Sequence, residues 1–278
     1  PEGSHIPVIF GQRATDRIIL NGAQRRPGRE EECGLGYPSF WGVAGYPISH
    51  SLTPRLFEIV GSALGFGGVK AVSLEARSAE EFLEKATELD GDLWISCTSP
   101  LKNSVCKKLG IEVLAGLEAV NQVRRVAGQW EGVNTDGEGF VIACRHIGLN
   151  PEGRTLEIKG GGSTARSIAL SWTESGGKLS LIHGRRVLSD GPWMKSIAEK
   201  GVVPDVSIDT DSSPGHELDM EDSQMRRLSI SYGKSSSYDG FPIVMLAAQH
   251  LEAWKALFTP ERIDQLPSLE EVLHLLSV

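Results

Sequence analysis

LeuGluIleLysGlyGlyGlySerThrAlaArgSer, from Leu156 to Ser167, is the stretch that decides the fold. A short apolar run ends in GlyxGlyxxAla at Gly160, Gly162 and Ala165, and an amphipathic stretch follows at once. Strand, glycine turn and helix in that order give each small residue a physical task. Gly160 allows the tight turn, Gly162 lets the backbone approach a pyrophosphate, and Ala165 permits close packing of helix on strand. With Gly161, Ser163 and Thr164 completing the loop, phosphates would rest on backbone N–H groups at the helix N-terminus.

Downstream, the end of the next strand distinguishes between dinucleotides. An NAD site usually places an acidic residue about 20 positions on, to hold the ribose hydroxyl. Here the chain reads His183, Gly184, Arg185, Arg186. Two guanidinium groups suit a 2′-phosphate and point to NADP; the alternative is an ordinary solvated loop. Strands are expected at 155–159, 178–182, 204–209 and 227–232, a spacing that fits a second α/β unit. Residues 241–258 and 260–276 then read as two amphipathic helices split by Thr259 and Pro260.

Upstream, short apolar runs alternate with amphipathic stretches from Trp41 on, the signature of an α/β unit. Strands are expected at 40–44, 68–74 and 92–97, with helices near 52–64, 79–89 and 101–109. Two further strands, 119–126 and 130–134, flank AlaGlyGln as a hairpin that delivers Asp136 to the mouth of a helix. Residues 1–40 hold one strand-like run at 6–10 and a charged, turn-rich segment at 25–32, and read as an extension or linker.

With 278 residues the chain is long enough for two ordinary domains, and its formal charge of −8 disfavours nucleic acid as the main partner. No apolar run approaches the roughly 18 residues needed to cross a bilayer, and no signal peptide is legible, which gives an expectation of a cytoplasmic protein. Cys33, Cys97, Cys106 and Cys144 lack CxxC spacing, so four reduced thiols are expected and no metal site.

Two segments carry polar side chains suited to chemistry. SerCysThrSerProLeuLys places Lys102 near a helix start, where a cation gains nothing from the helix dipole, and GlyValAsnThrAspGlyGluGlyPhe carries Asp136. A carbonyl being reduced takes a proton as well as a hydride. Lys102 could polarise the oxygen while Asp136 relays the proton; the alternative for a lone lysine is solvated surface. In TyrProIleSerHisSerLeuThrPro (46–54), Ser51 and Thr53 offer hydroxyls near a helix N-terminus, for a carboxylate or simply as caps.

These segments together resemble the shikimate dehydrogenase family, from about Trp41 to the C-terminus. The family's SerLeuSerPro is similar to Ser51 to Pro54, its AsnValThrxProxLys to Ser96 to Lys102, its AlaValAsn to Ala119 to Asn121, and its AsnThrAspxxGlyPhe to Asn134 to Phe140. Its late MetLeuxxGln resembles Met245, Leu246 and Gln249, and its GlyAlaGlyGlyAla loop Gly160 to Thr164. The resemblance implies a two-domain α/β fold: an N-terminal substrate domain over 41–145, rejoined by C-terminal helices at 241–278, and a Rossmann-type NADP domain over 146–240. It implies reversible reduction of 3-dehydroshikimate by NADPH, with Lys102 and Asp136 as the catalytic pair. Ser51 and Thr53 would hold the carboxylate, and Thr98, Asn121, Asp136 and Gln249 would read ring hydroxyls, with Tyr232 matching a family tyrosine. Fusion to an upstream dehydroquinate dehydratase domain is a further family possibility for residues 1–40.

The chain also departs from that pattern. Ser96 replaces an asparagine, Ser163 a glycine, HisGlyArgArg an AsnArgThr, Phe57 a frequent histidine and Ser229 an aspartate. AspThrAspSerSerProGly (209–215) replaces AsnAlaThrSerxGlyMet and brings Asp209 and Asp211 toward the cofactor, and the segment before Met245 is shortened. Two other readings follow: a shikimate- or quinate-binding homologue without turnover, and a quinate or NAD-dependent dehydrogenase.

Overall fold

The computed structural model describes residues 37–211, 225–232, 237 and 240–278. The strand-like run at 6–10, Cys33 and most of the proposed extension and fusion segment lie outside the described residues, as do residues 212–224.

The first sheet grows from two continuous apolar strands. β1 (Phe40–Gly45) and β3 (Leu93–Cys97) are almost wholly buried, as central strands covered on both faces must be, and β1 lies parallel to both β3 and the edge strand β2 (Lys70–Glu75). Helices α1 (Thr53–Ala63), α2 (Ala79–Thr87) and α3 (Leu101–Leu109) connect or follow these strands. Ser78 caps α2 by accepting from the Glu81 N–H, and Gly110 ends α3 in the left-handed region at φ +63°. The expected hairpin is β4 (Gln122–Val126) and β5 (Gln129–Val133), turned by Ala127 and Gly128 with positive φ, and it completes the order β2-β1-β3-β4-β5.

After helix α4 (Asp136–His146) a second, all-parallel sheet follows in the order β7-β6-β8-β9: β6 (Thr155–Lys159), β7 (Lys178–Ile182), β8 (Val206–Asp209) and β9 (Arg226–Leu228). Helix α5 (Ser163–Glu174) leaves the glycine loop directly after β6. Between β7 and β8 a single 3-10 turn, Pro192–Ser196, anchored by buried Trp193, stands where a full crossover helix could pack.

Helix α6 (Phe241–Ala253) runs on into one π-helical turn, Trp254–Phe258. The helix expected over 260–276 is broken: a 3-10 turn, Pro260–Gln265, precedes α7 (Leu269–Ser277). Pro267 disfavours helical backbone at Leu266, and Ser268 with Glu271 forms a capping box that starts α7 afresh.

Three cores hold these layers. Phe82, Leu93, Ile95, Leu101 and Val105 fill one side of the first sheet, and Trp41, Phe57, Phe66, Trp94, Trp254 and Phe258 form an aromatic core on the other. Leu156, Ile158, Ile168 and Trp172 centre the core of the second sheet. Helix α6 serves both, giving Ile243, Ala247 and Leu251 to the aromatic core and Val244 and Met245 to that of the second sheet. Helix α4 packs against α5 and α6 at close range. A Cβ on Gly137 would stand 2.1 Å from the Ser167 carbonyl oxygen, and one on Gly139 2.5 Å from the Gln249 Cβ. Two glycines in the Asp136 segment thus set the interhelical distances that bring three helices to one point.

Candidate active site

Asp136 is the first residue of α4 and is 1% exposed. Burying a lone carboxylate is costly, so each oxygen requires partners. Lys102 Nζ donates to Oδ2 at 2.6 Å, Thr164 Oγ1 donates to the same oxygen at 3.0 Å, and Asn121 Nδ2 donates to Oδ1 at 2.9 Å. Lys102 Nζ also reaches Thr164 Oγ1 at 3.3 Å, and the lysine side chain stays 16% exposed, facing the cavity. The carboxylate is therefore locked from three places, α3, the residue just before β4 and α5, while the ammonium keeps an open side.

Asn121 is fixed in turn. Its Oδ1 accepts from the Thr135 N–H at 2.8 Å, and Thr135 Oγ1 donates to the Gln249 carbonyl at 2.8 Å, which ties the site to α6. A cavity of about 230 Å³ opens beside the pair, lined among others by Ser51, Thr53, Thr98, Lys102, Asn121, Asp136, Tyr232 and Gln249. All eight residues expected to catalyse or to hold substrate thus meet in one cavity.

At one end of that cavity, Ser51 Oγ accepts from the Thr53 N–H at 3.3 Å, a local turn contact at the entry to α1. Thr53 itself is buried, and Tyr232 hydrogen-bonds Ser51. Burial raises the Tyr232 hydroxyl above its ordinary value, so it stays neutral. His50 packs edge-on to Tyr232 with ring centroids 5.9 Å apart. On α6, His250 is fully buried, pushed down to about 3 by loss of hydration, and its Nε2 accepts from Trp254 Nε1 at 3.0 Å. Phe57, where the resembling family often has histidine, fills the aromatic core and meets His250 edge-on at 4.5 Å.

The glycine loop opens α5 as expected. Gly160 has φ +103°, and a Cβ there would meet Thr210 Oγ1 at 2.5 Å. At Gly162 the nearest atom to a Cβ would be Arg186 Nη2, at 3.9 Å. Open space, a helix N-terminus and a guanidinium together fit a phosphate. Ser163 and Ala165 belong to the first turn of α5, Ala165 buried against the sheet. Thr164, read from the sequence as part of the phosphate loop, turns its hydroxyl to Asp136 and Lys102 and lines the same cavity as they do.

His183, Arg185 and Arg186 follow β7 at the outer end of the second sheet, all three exposed. Arg185 donates from Nη2 to the Asp211 carbonyl at 2.9 Å, and its backbone N–H meets the Asp211 carboxylate. Lys159 pairs with Asp209 at 2.7 Å and is raised above its ordinary value by that contact. The two acidic residues near the loop are thus each matched by a base. Gly161 is close-packed, since a Cβ would stand 2.1 Å from the Val187 carbonyl oxygen.

Ser96, named from the sequence only as a departure from the family motif, also lines the cavity, as does Gln122, which no motif marked. Alternation within the hairpin strand could have found Gln122: an amide at a position directly opposite a buried strand, beside Val123, which is fully buried. Cys97, Cys106 and Cys144 are buried free thiols, with Cys97 and Cys144 pushed up to about 12 by burial. Among the described residues no group of three or more His, Cys, Asp or Glu is placed to hold a metal ion, and no helix is long and apolar enough to cross a membrane.

No family model matches the chain. It is 31% identical over 155 residues to the shikimate dehydrogenase (NADP(+)) of Alkaliphilus metalliredigens, a match covering 55% of this chain and 54% of that relative, so the chain spans about half its length. Against the shikimate dehydrogenase (NADP(+)) of Methanopyrus kandleri identity is 30% over 240 residues, covering 83% of this chain and 81% of the relative. The crystal structure of the Thermus thermophilus shikimate 5-dehydrogenase in complex with shikimate shares the fold, with a TM-score of 0.67 at 21% identity, covering 85% of this chain and 97% of that one.

Proposed function

The chain belongs to the shikimate dehydrogenase family, and from that membership we propose that it catalyses the reversible, NADP-dependent reduction of 3-dehydroshikimate to shikimate. The observation that carries the reading is the buried Asp136 carboxylate bound by Lys102, Asn121 and Thr164 at the wall of a cavity lined by hydroxyls and amides. We assign residues 41–145 with 241–278 to the substrate half and 146–240 to the cofactor half.

NADPH, when bound, supplies a hydride to the carbonyl carbon. Gly160, Gly161, Gly162, Ser163 and the α5 N-terminus would hold its pyrophosphate, with Arg186 beside them and His183 and Arg185 at the outer edge. Lys102 directs an ammonium N–H at the carbonyl oxygen and passes it a proton as negative charge develops there. Asp136 fixes Lys102 in place, and in the oxidative direction the pair takes the hydroxyl proton back. Ser51 and Thr53 orient the carboxylate of the acid with the neutral Tyr232 hydroxyl beside them, and Thr98, Asn121 and Gln249 hold the ring. The fixed carboxylate and amide need not reorganise during reaction, which is where most of the advantage over water arises.

A second reading is a shikimate-binding homologue without turnover. The Asp211 carboxylate, whose Oδ1 lies 3.0 Å from where a Cβ on Gly160 would stand, puts negative charge beside the glycine loop and favours it. One assay separates the two: purified protein with shikimate and NADP at alkaline pH, following reduced cofactor, repeated with NAD and with quinate. Turnover with NADP and shikimate above the other pairs is the expected result. Shikimate binding without any turnover eliminates the enzyme and leaves the binding homologue.

A further inference from the structure

Val43, Ser96 and Gln122 form one row across the first sheet, partners in register on β1, β3 and β4, and all three line the cavity. Ser96 is 7% exposed and Gln122 2%. A primary amide at such a place carries one acceptor and two donors, and leaving them unmet costs about 1–3 kcal/mol. Ser96 Oγ donates to Gln122 Oε1 at 2.6 Å, which satisfies the acceptor end and fixes the amide plane. The NH₂ end makes no hydrogen bond to a described residue. Nor is it sealed away, because the described buried polar atoms without partners are Trp41 Nε1, Trp94 Nε1, Arg166 Nε and Thr259 Oγ1. Its two N–H groups therefore face the cavity.

We propose that Gln122, oriented by Ser96, is a specificity-determining residue whose amide N–H groups donate to a ring hydroxyl of the bound polyhydroxylated acid. The proposal rests on the shikimate dehydrogenase reading. A hydroxyl is the fitting partner for two reasons. The carboxylate end is already served by the Ser51, Thr53 and Tyr232 cluster, and Gln122 follows Asn121, which holds the reacting end through Asp136. The chain has in effect exchanged sides: where the resembling family carries an asparagine at position 96, this sequence has a serine, and an amide stands directly across the strand pair. A donor amide held this way is left unpaired by an analogue that lacks the hydroxyl, and the binding of that analogue suffers accordingly.

The test compares wild type, Gln122→Met and Gln122→Glu with shikimate and with analogues each lacking one ring hydroxyl, reading kcat, KM for the acid and KM for NADP. In Gln122→Met the KM for shikimate should rise about 10- to 100-fold, while kcat stays within a few-fold and the KM for NADP is unmoved. Discrimination against one of the deoxy analogues should largely disappear. Gln122→Glu keeps the shape and the Ser96 bond but removes both donors, so it must show the same rise and covers the case in which the methionine variant fails to fold. An unchanged KM for shikimate in an active variant, or discrimination preserved against every deoxy analogue, overturns the proposal. Wild type that neither turns over nor binds shikimate overturns the parent reading, and this is seen before any variant is measured.

Discussion

At Asp136 a single carboxylate answers to three donors, and Thr164 is the one whose placement separates two roles. If its hydroxyl served the cofactor phosphates, its removal would raise the KM for NADP. If it holds Asp136 and Lys102 in register, as the 3.0 Å and 3.3 Å contacts require, removal should lower kcat instead. A hydrogen bond to a charged group is worth about 1.5–3 kcal/mol, so Thr164→Val should lose roughly 10-fold or more in kcat with little change in the KM for NADP, and Thr164→Ser should restore most of it. Steady-state kinetics on the two variants decide; a rise confined to the KM for NADP would return Thr164 to the phosphate loop. Lys102→Ala, which removes the proposed proton donor, should set the scale at about 10²- to 10⁴-fold. Lys102, Asp136, Asn121 and Gln249 were legible because each sits in a motif whose chemistry constrains the residue type. Thr164 was not, because a glycine pattern describes where the backbone goes, while the direction of one hydroxyl depends on how closely α5 packs on α4.

Among the elements, strand and helix periodicity located both sheets from sequence, since β1, β3 and β6 are short apolar runs bounded by turn formers. The break at Pro267 was less visible, because apolar spacing continues on both sides of it and only the Ser268 and Glu271 box marks the new start. Helix α6 hides another feature from pattern reading, a histidine on its buried face. His250 has a folded value of about 3, below the ordinary 6.5, because burial disfavours its charged form. It is neutral in the native state and accepts from Trp254. Above the ordinary value neither state binds the proton, and the contribution to stability is complete. As pH falls from about 6.5 toward about 3 the unfolded chain takes up a proton that the native one refuses, and stability drops by up to about 1.4 kcal/mol per pH unit. His250→Gln keeps an acceptor for the tryptophan but cannot titrate. Its Tm should therefore fall less than that of wild type between pH 7.5 and pH 5, and equal slopes in thermal melts would mean that His250 is not the acid-sensitive group.

For the whole molecule, the question is whether two sheets with two proposed ligands behave as one cooperative unit. The cores are separate, but the helices are not: α6 contributes side chains to both, and α4 lies against α5 and α6 with Gly137 and Gly139 at the contacts. The hydrogen bonds that hold Asp136 cross the same seam, since Lys102 comes from the first sheet's helices and Thr164 from the second's. Unfolding either half would expose α6 and release the Lys102–Asp136 pair, so the halves should melt together. Shikimate alone, binding the substrate half, should then raise a single transition for the entire chain. At 100 times its dissociation constant the gain is about 2.7 kcal/mol, or roughly 5–10 °C for a protein of this size. NADP alone should shift the same transition, and both ligands together should shift it further. Scanning calorimetry reads this directly: one endotherm that moves with either ligand is expected, whereas two endotherms of which shikimate moves only one would show that α6 does not couple the halves.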